Sequence, residues 1–461
     1  MRTRHAVLCL LLSCGLAPAD TWYVNNQAGD DANDGRSAKT AFATIAKATA
    51  SANTSDSIVL ANTGVAYREP ILMRRLGGTP AKPFVIEGNG ATITGLKPLK
   101  PTDWKPAAAG TLFLPIEKKP YGPPFLVSRG QRLTAAKSAA AVQPGQFFWD
   151  KGGVHFRPEA GKSVESYQLE ATLVTSGLTV QSSSYIICRN LVSEYHSNDG
   201  FNVHGDCRGI TCENIVGRHN GDDGFSIHEV IGAVVRNGHF HHNRWGIQDV
   251  NGSRSVFNGI TAEHNSGDGV NFVGGYHSLV DSIVRDNGKD QIAIVASRPK
   301  HLIGSEHNPL CDCPCFLQNV VASGGPRAAL SVRGGARVTA WNCVFVGSDV
   351  GVAVAKDSTC HLVLSIVAGC GTRELDSASE RFFRDHNLYH PGRFRWLGTD
   401  YTPDQWDAFR TAAGHDTNSL LAAPKLAADE THHPTAESPA LKPKRKIGPT
   451  APVRGYQQVN H

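Results

Sequence analysis

The chain has little of what would place it in the commoner protein classes. Beyond residue 19 no apolar run approaches the ~20 residues that cross a bilayer, so no membrane-spanning helix is expected there. Charge of one sign is scarce, with a net of +5, or +3 once Arg2 and Arg4 are removed with a leader. That is too little to argue for a nucleic-acid partner, yet it permits an acidic polymer where basic residues cluster. The segment 183–296 lacks the leucine framework of a leucine-rich repeat. The cysteines fit no usual zinc spacing.

What the chain does have is an internal repeat. Ser197-Asn198-Asp199-Gly200-Phe201, Gly221-Asp222-Asp223-Gly224-Phe225, Asn243-Arg244-Trp245-Gly246-Ile247 and Ser266-Gly267-Asp268-Gly269-Val270 each read as a turn running into a strand. Their glycines are 24, 22 and 23 residues apart, a solenoid period. Residues after each glycine alternate, as in Phe201-Asn202-Val203-His204, which predicts half-buried strands. The expected fold is therefore all-β, a right-handed parallel β-helix. Growth in one dimension lets 461 residues form one body without exceeding the size of a single core. The pairs His219-Asn220, His242-Asn243, His264-Asn265 and Asp286-Asn287 predict a ladder of stacked amides. The third repeat is one residue shorter between Asn and Gly, so its turn is expected to differ.

Residues 1–19 read as an export signal: Arg2 and Arg4, an apolar run over 6–12, then Ala17-Pro18-Ala19 before the cut. Leu11-Leu12-Ser13-Cys14 offers a second possibility, a lipoprotein acylated at Cys14. The mature chain is expected outside the cytoplasm, as a monomer. Residues 20–95 should hold the N-terminal cap and first coils, with a capping helix over 42–52. The Asp-rich loop 29–35 lacks EF-hand spacing and reads as a plain turn. Residues 96–165 lose the coil pattern and suggest a small β-rich insertion beside the groove. Coils resume over 166–370. The remainder, 371–461, should hold a C-terminal cap, with a capping box at Thr402-Pro403-Asp404-Gln405, and a loosely ordered tail from Asp429. Losing Cys9 and Cys14 leaves nine of eleven cysteines. Cys188 and Cys212 should stack as small apolar residues, while Cys311-Asp312-Cys313-Pro314-Cys315, with Cys343, Cys360 and Cys370, suggests a disulfide-bonded loop.

The opening Trp22-Tyr23-Val24 with Gly29-Asp30-Asp31-Ala32-Asn33-Asp34-Gly35, and the closing Asn387-Leu388-Tyr389, Trp406 and Ser438-Pro439-Ala440, resemble secreted β-helix proteins of the pectate-lyase-like superfamily. Asn220-Gly221-Asp222-Asp223-Gly224-Phe225 resembles the calcium turn of family-nine pectate lyases, with Asn198-Asp199-Gly200 matching a further ligand region. That resemblance implies calcium held by aspartates and a lysine base a coil or two later. Here Ser226 stands where another Asp ligand is expected and Asn271 where the lysine is expected.

Read as chemistry, Asp199, Asp222 and Asp223 should crowd together once the coils stack, and a hard cation such as Ca²⁺ would relieve their repulsion. Ordinary Asp-Gly turns are the plainer alternative, which is accepted for Asp268. Outward positions carry Asn202, Ser226, Gln248 and Asn271 in one row and His204 in the next, suited to sugar hydroxyls. Arg244, Lys289 and His228 are the candidates to neutralise a sugar carboxylate and take its C5 proton. The expected function is a calcium-assisted lyase acting on uronate polysaccharide by β-elimination. Two alternatives stay open. One is a glycoside hydrolase, because the Asp199 and Asp222-Asp223 pair also resembles polygalacturonases. The other is a carbohydrate-binding surface protein without turnover.

Overall fold

The computed structural model describes residues 19–122, 124–296, 313–442 and 446–458. The expected signal and Cys14 lie outside the described residues. Parallel strands stack coil upon coil. One wall runs Ile71–Arg74, Leu178–Gln181, Phe201–His204, Asp223–His228, Trp245–Val250, Val270–Val273 and Ile292–Val295, each paired in parallel with the next. It continues through Ala328–Arg333, Val350–Val354, Arg373–Ser377 and Phe394–Trp396. The alternation seen in sequence sets which side faces the core: Phe201, Phe225 and Phe272 are almost fully buried, and Phe201 stacks on Phe225 at 5.9 Å. Each such burial contributes about 1.5–3 kcal/mol that no isolated coil could secure.

The amide ladder forms as expected. Asn220 donates to Asn243 (3.0 Å), Asn243 to Asn265 (3.2 Å) and Asn265 to Asn287 (2.9 Å), all through Nδ2 to Oδ1. The residue before each amide bends the chain with positive φ: 57° at His219, 58° at His242, 53° at His264 and 52° at Asp286. That bend turns the amide inward and its neighbour outward. Asn243→Ala should lower stability by ~1–3 kcal/mol, because the Asn220 N–H and amide lose their buried acceptor. A urea midpoint equal to that of the parent would refute this.

A second ladder turns another corner, at Asn190, Asn214 and Asn237, whose φ values are 57°, 53° and 52°. Asn214 donates to Asn190 at 3.0 Å and Asn237 to Asn214 at 2.7 Å.

The stretch after the first coils folds as antiparallel strands, with Gly153–Phe156 between Leu112–Pro115 and Phe147–Trp149, around its own core of Leu114, Phe125, Phe147 and Phe156. It touches the solenoid where Ser197 Oγ donates to Tyr121 O at 2.7 Å, beside the turn that carries Asp199. A helix, Ile45–Ser51, begins at Thr44, whose hydroxyl accepts from Lys47 N, and buries Ile45 and Ala48. In the Asp-rich loop, Asp30 and Asp34 each accept a backbone N–H two residues on, the bond of a plain turn. The predicted capping box forms at Thr402 and Gln405 and leads into Trp406–Ala413.

Two expectations are corrected. Cys313, Cys315, Cys343, Cys360 and Cys370 are free thiols, and Cys311 lies outside the described residues. All five point into the coils as small apolar groups, as do Cys188 and Cys212, which pair in register. The tail is not loose in its described part. Ala440, Ile447 and Val453 bury against Ile283, Val321, Val344 and Ile366, an apolar row on the outside of the coils.

The core holds charged pairs, among them Arg384 with Asp416 at 2.9 Å and Asp249 with His277. Asp249 occupies an inward position between Ile227 and Phe272, and its Oδ2 lies 3.2 Å from His277 Nδ1 and accepts from Ser255 Oγ at 2.5 Å. Burial alone would lower the His277 pKa, but the Asp249 carboxylate outweighs it and holds the ring up to about 10.

Candidate functional site

The coils lie in the register that brings the three aspartates together. The Asp223 N–H donates to Asp199 Oδ1 at 3.2 Å, and one carboxylate oxygen from each of Asp199, Asp222 and Asp223 lies within 4.8 Å of the others. Asp199 is 3% exposed and Asp223 1%. Asp199 Oδ2 accepts from Asn198 Nδ2 (2.7 Å) and Asn202 Nδ2 (2.6 Å). Asp223 is worse served: Gln248 Nε2 is 3.4 Å from Oδ2, and Oδ1 has no partner among the described residues. Asn202 Oδ1, also buried, is orphaned too.

Burial pushes the Asp199 carboxyl up to about 7, with Asp222 adding to it. Burial, then the charges of Asp199 and Asp222, push Asp223 well above the carboxylate range. Asp222 is raised by burial and relieved by Arg244, whose Nη1 lies 3.4 Å from its Oδ1. Three crowded carboxylates, one with an orphaned oxygen beside the orphaned amide oxygen of Asn202, are a donor set for a hard, oxygen-seeking cation. The residues present fit Ca²⁺ in that sense.

Of the three catalytic candidates, only Arg244 reaches this group, and its guanidinium also lies 4.0 Å from the Trp245 ring. Backbone bonds run from Arg244 N to Asp222 O, Gly267 N to Arg244 O and Lys289 N to Gly267 O, which puts Lys289 three coils beyond Asp222. At ~4.8 Å per coil that is about 14 Å, and Lys289 stands beside Asp268 instead. His228 is five residues along the strand that begins at Asp223, but its ring folds back, with Nε2 3.1 Å from the hydroxyl of Ser226, whose hydrogen bonding also acts on Asp223. Distance along the stack separates Lys289 from the carboxylates, while His228 shares the coil of Asp223.

The polar row stands in register: Asn202 beside Ser226, Ser226 beside Gln248, and Gln248 beside Asn271. Asn271 Nδ2 donates to Gln248 Oε1 at 3.1 Å. Ser226 departs from its expected role, since it is 1% exposed and its Oγ lies 3.1 Å from His228 Nε2. His204 is half-buried, and burial lowers its pKa, as it does that of His228.

Trp245 was not a candidate. It stands in register with Asp223, so the acidic column of Asp199 and Asp223 is interrupted by an indole before it resumes at Asp268 and Asp290. The shorter spacing of the third repeat was its sequence signal. The Trp245 indole N–H is buried with no partner among the described residues and packs against Gly267 in the next coil.

No family model matches the chain, and no curated protein matches it in sequence. Among solved structures it is similar to XylC in complex with xylose, at TM-score 0.56 and 11% identity, over 88% of this chain and 87% of that one. It is also similar to pectate lyase Pel9A, at TM-score 0.50 and 13% identity, over 97% and 98%. The fold is that of the pectate-lyase-like right-handed β-helices. At such identities the likeness is one of fold. No helix among the described residues is long and apolar enough to cross a membrane.

Proposed function

We propose that this is an exported polysaccharide-active protein which engages a uronate-bearing chain at the Asp199, Asp222 and Asp223 group and cleaves it by calcium-assisted β-elimination. The observation that carries the reading is the orphaned, buried Asp223 Oδ1 inside a triad of carboxylates, facing Arg244 one coil on. Bound there, Ca²⁺ would supply positive charge to a sugar carboxylate and so acidify the C5 proton. Asp199, Asp222 and Asp223 would hold it. Arg244 adds a second cation for the same carboxylate. Asn202, Gln248 and Asn271 offer amides to sugar hydroxyls along the wall. Lys289, three coils off, does not take the proton from a sugar at this group, whereas His228, whose Nε2 reaches Ser226 beside Asp223, stays a candidate for it.

The test is incubation with polygalacturonate, alginate and glycosaminoglycans, with calcium or chelator. Calcium-dependent ultraviolet absorbance from unsaturated ends is expected, and its absence on every uronate polymer removes the elimination. Binding itself has a separate readout: calcium at 100 times its Kd should stabilise the fold by about 2.7 kcal/mol, seen as a rise in Tm.

A second reading, glycoside hydrolysis, is favoured by one observation: the Asp199 carboxyl, pushed up to about 7, is a group able to deliver a proton near neutrality. New reducing ends without unsaturation, indifferent to chelator, would select it.

A further inference from the structure

On the outside of the same corner, the bend that turns the amide ladder inward throws a column of rings outward. His219 and His242 hold the bend position in consecutive coils, and His241 precedes His242 in the chain. Ring centroids are 4.9 Å apart for His219 and His242, 5.0 Å for His241 and His242, and 5.8 Å for His219 and His241. A ring nitrogen from each lies within 4.8 Å of the others, and the Nδ1 atoms of His241 and His242 are 2.8 Å apart. Between those two nitrogens only one hydrogen fits, so one lone pair is directed into the cluster.

The surroundings hold these rings in place. Tyr195 stacks on His219 at 4.9 Å and 9°, and its hydroxyl is fixed by Gly130 O at 3.0 Å. His239 lies 4.2 Å from His241 and is itself held by Glu263 Oε1 at 2.8 Å and covered by Tyr456 at 5.1 Å. The neighbouring guanidinium, Arg218, is occupied by Glu194 at 2.7 Å. His242 is exposed, so the cluster opens to solvent.

We propose that His219, His241 and His242 form a binding site for one divalent transition-metal ion of the zinc, nickel or copper type, separate from the carboxylate group. The donor set decides the class: three imidazoles with no carboxylate among them suit borderline ions and not calcium or magnesium, which take oxygen. Tetrahedral zinc at ~2.0–2.1 Å from each nitrogen needs donors about 3.4 Å apart. Donors within 4.8 Å reach that spacing by adjustment of the exposed His242 against the two held rings, and the open side leaves a fourth position for water. Burial, then the neighbouring rings, hold His219 down to about 4 and His241 to about 3, so both are neutral at pH 7 with a lone pair available. The site does not depend on the reaction proposed above.

Isothermal titration of the full chain with Zn²⁺ and with Cu²⁺ tests this. One equivalent should bind, and copper should show nitrogen hyperfine structure from imidazole. His242→Ala, at an exposed side chain, should weaken binding by more than ~100-fold, since changes in groups behind the ligands already cost about 10–100-fold. His219→Ala should do the same, with its fold checked by thermal melt. Asp223→Asn should leave the transition-metal affinity unchanged. Failure of either ion to bind, binding indifferent to His242→Ala, or binding lost in Asp223→Asn would each overturn the proposal. A lowered Tm in His219→Ala without metal binding by the parent would make the column structural only.

Discussion

Asp223→Asn is expected to make the protein more stable without calcium while it loses calcium binding and at least ~100-fold in turnover on a uronate polymer, the scale set by removing one preorganised electrostatic partner. The two effects have one cause. In the folded chain Asp223 is buried against Asp199 and Asp222 with one oxygen unpartnered, so its negative charge is a burden until a cation shares it. The pH dependence follows in sign. The folded Asp199 carboxyl sits at about 7 and its unfolded counterpart at 3.8, so the folded state binds the proton more tightly. Stability without calcium should therefore fall as the pH rises from about 4 towards 7, and calcium, competing with protons, should bind more tightly over the same window. Urea midpoints at pH 5 and pH 8, with and without calcium, give the comparison. A parent and an Asp223→Asn variant with the same pH and calcium responses would show that the three carboxylates are only turns.

Asp249→Ala is expected to cost about 3–5 kcal/mol, among the largest effects available to one substitution, because it strands a buried imidazolium. Here the sign is the same and the window lies higher. The folded His277 value, about 10, lies above the unfolded 6.5, so the pair's contribution is complete below pH 6.5 and disappears as the pH rises through 10. The difference between parent and Asp249→Ala should shrink accordingly across pH 7 to 10. The double variant Asp249→Ala with His277→Leu should recover much of the loss, because an apolar side chain in that place has no charge to strand. A loss under 1 kcal/mol in the single variant would mean the pair is not buried as described.

The features legible in sequence were those that repeat. A fixed period with glycine turns determined which strands stack, and from that the convergence of Asp199 with Asp223 and the ladder from Asn220 to Asn287 followed. Distances along the stack were less legible. Lys289 shares the right face with the carboxylates but stands three coils off, which spacing in the chain does not display until the register is known. The Asn190, Asn214 and Asn237 ladder has the same period but no glycine turn to announce it. The tail was misread from composition, since its Pro, Thr and Lys content says nothing about a partner surface. That surface did leave a trace. Val320-Val321-Ala322, Cys343-Val344-Phe345 and Ser365-Ile366-Val367 are buried on both faces, where a half-exposed strand would alternate.

The tail's path has a thermodynamic consequence. It runs back over the coils, from Gly448 N on Leu364 O to Tyr456 N on Thr261 Oγ1 and Gln457 N on Asn237 Oδ1. A one-dimensional stack can fray coil by coil from its end, each loss independent of distant coils. A strap fastened at both ends of that span couples them, so the coils between Asn237 and Leu364 are expected to melt together in a single transition.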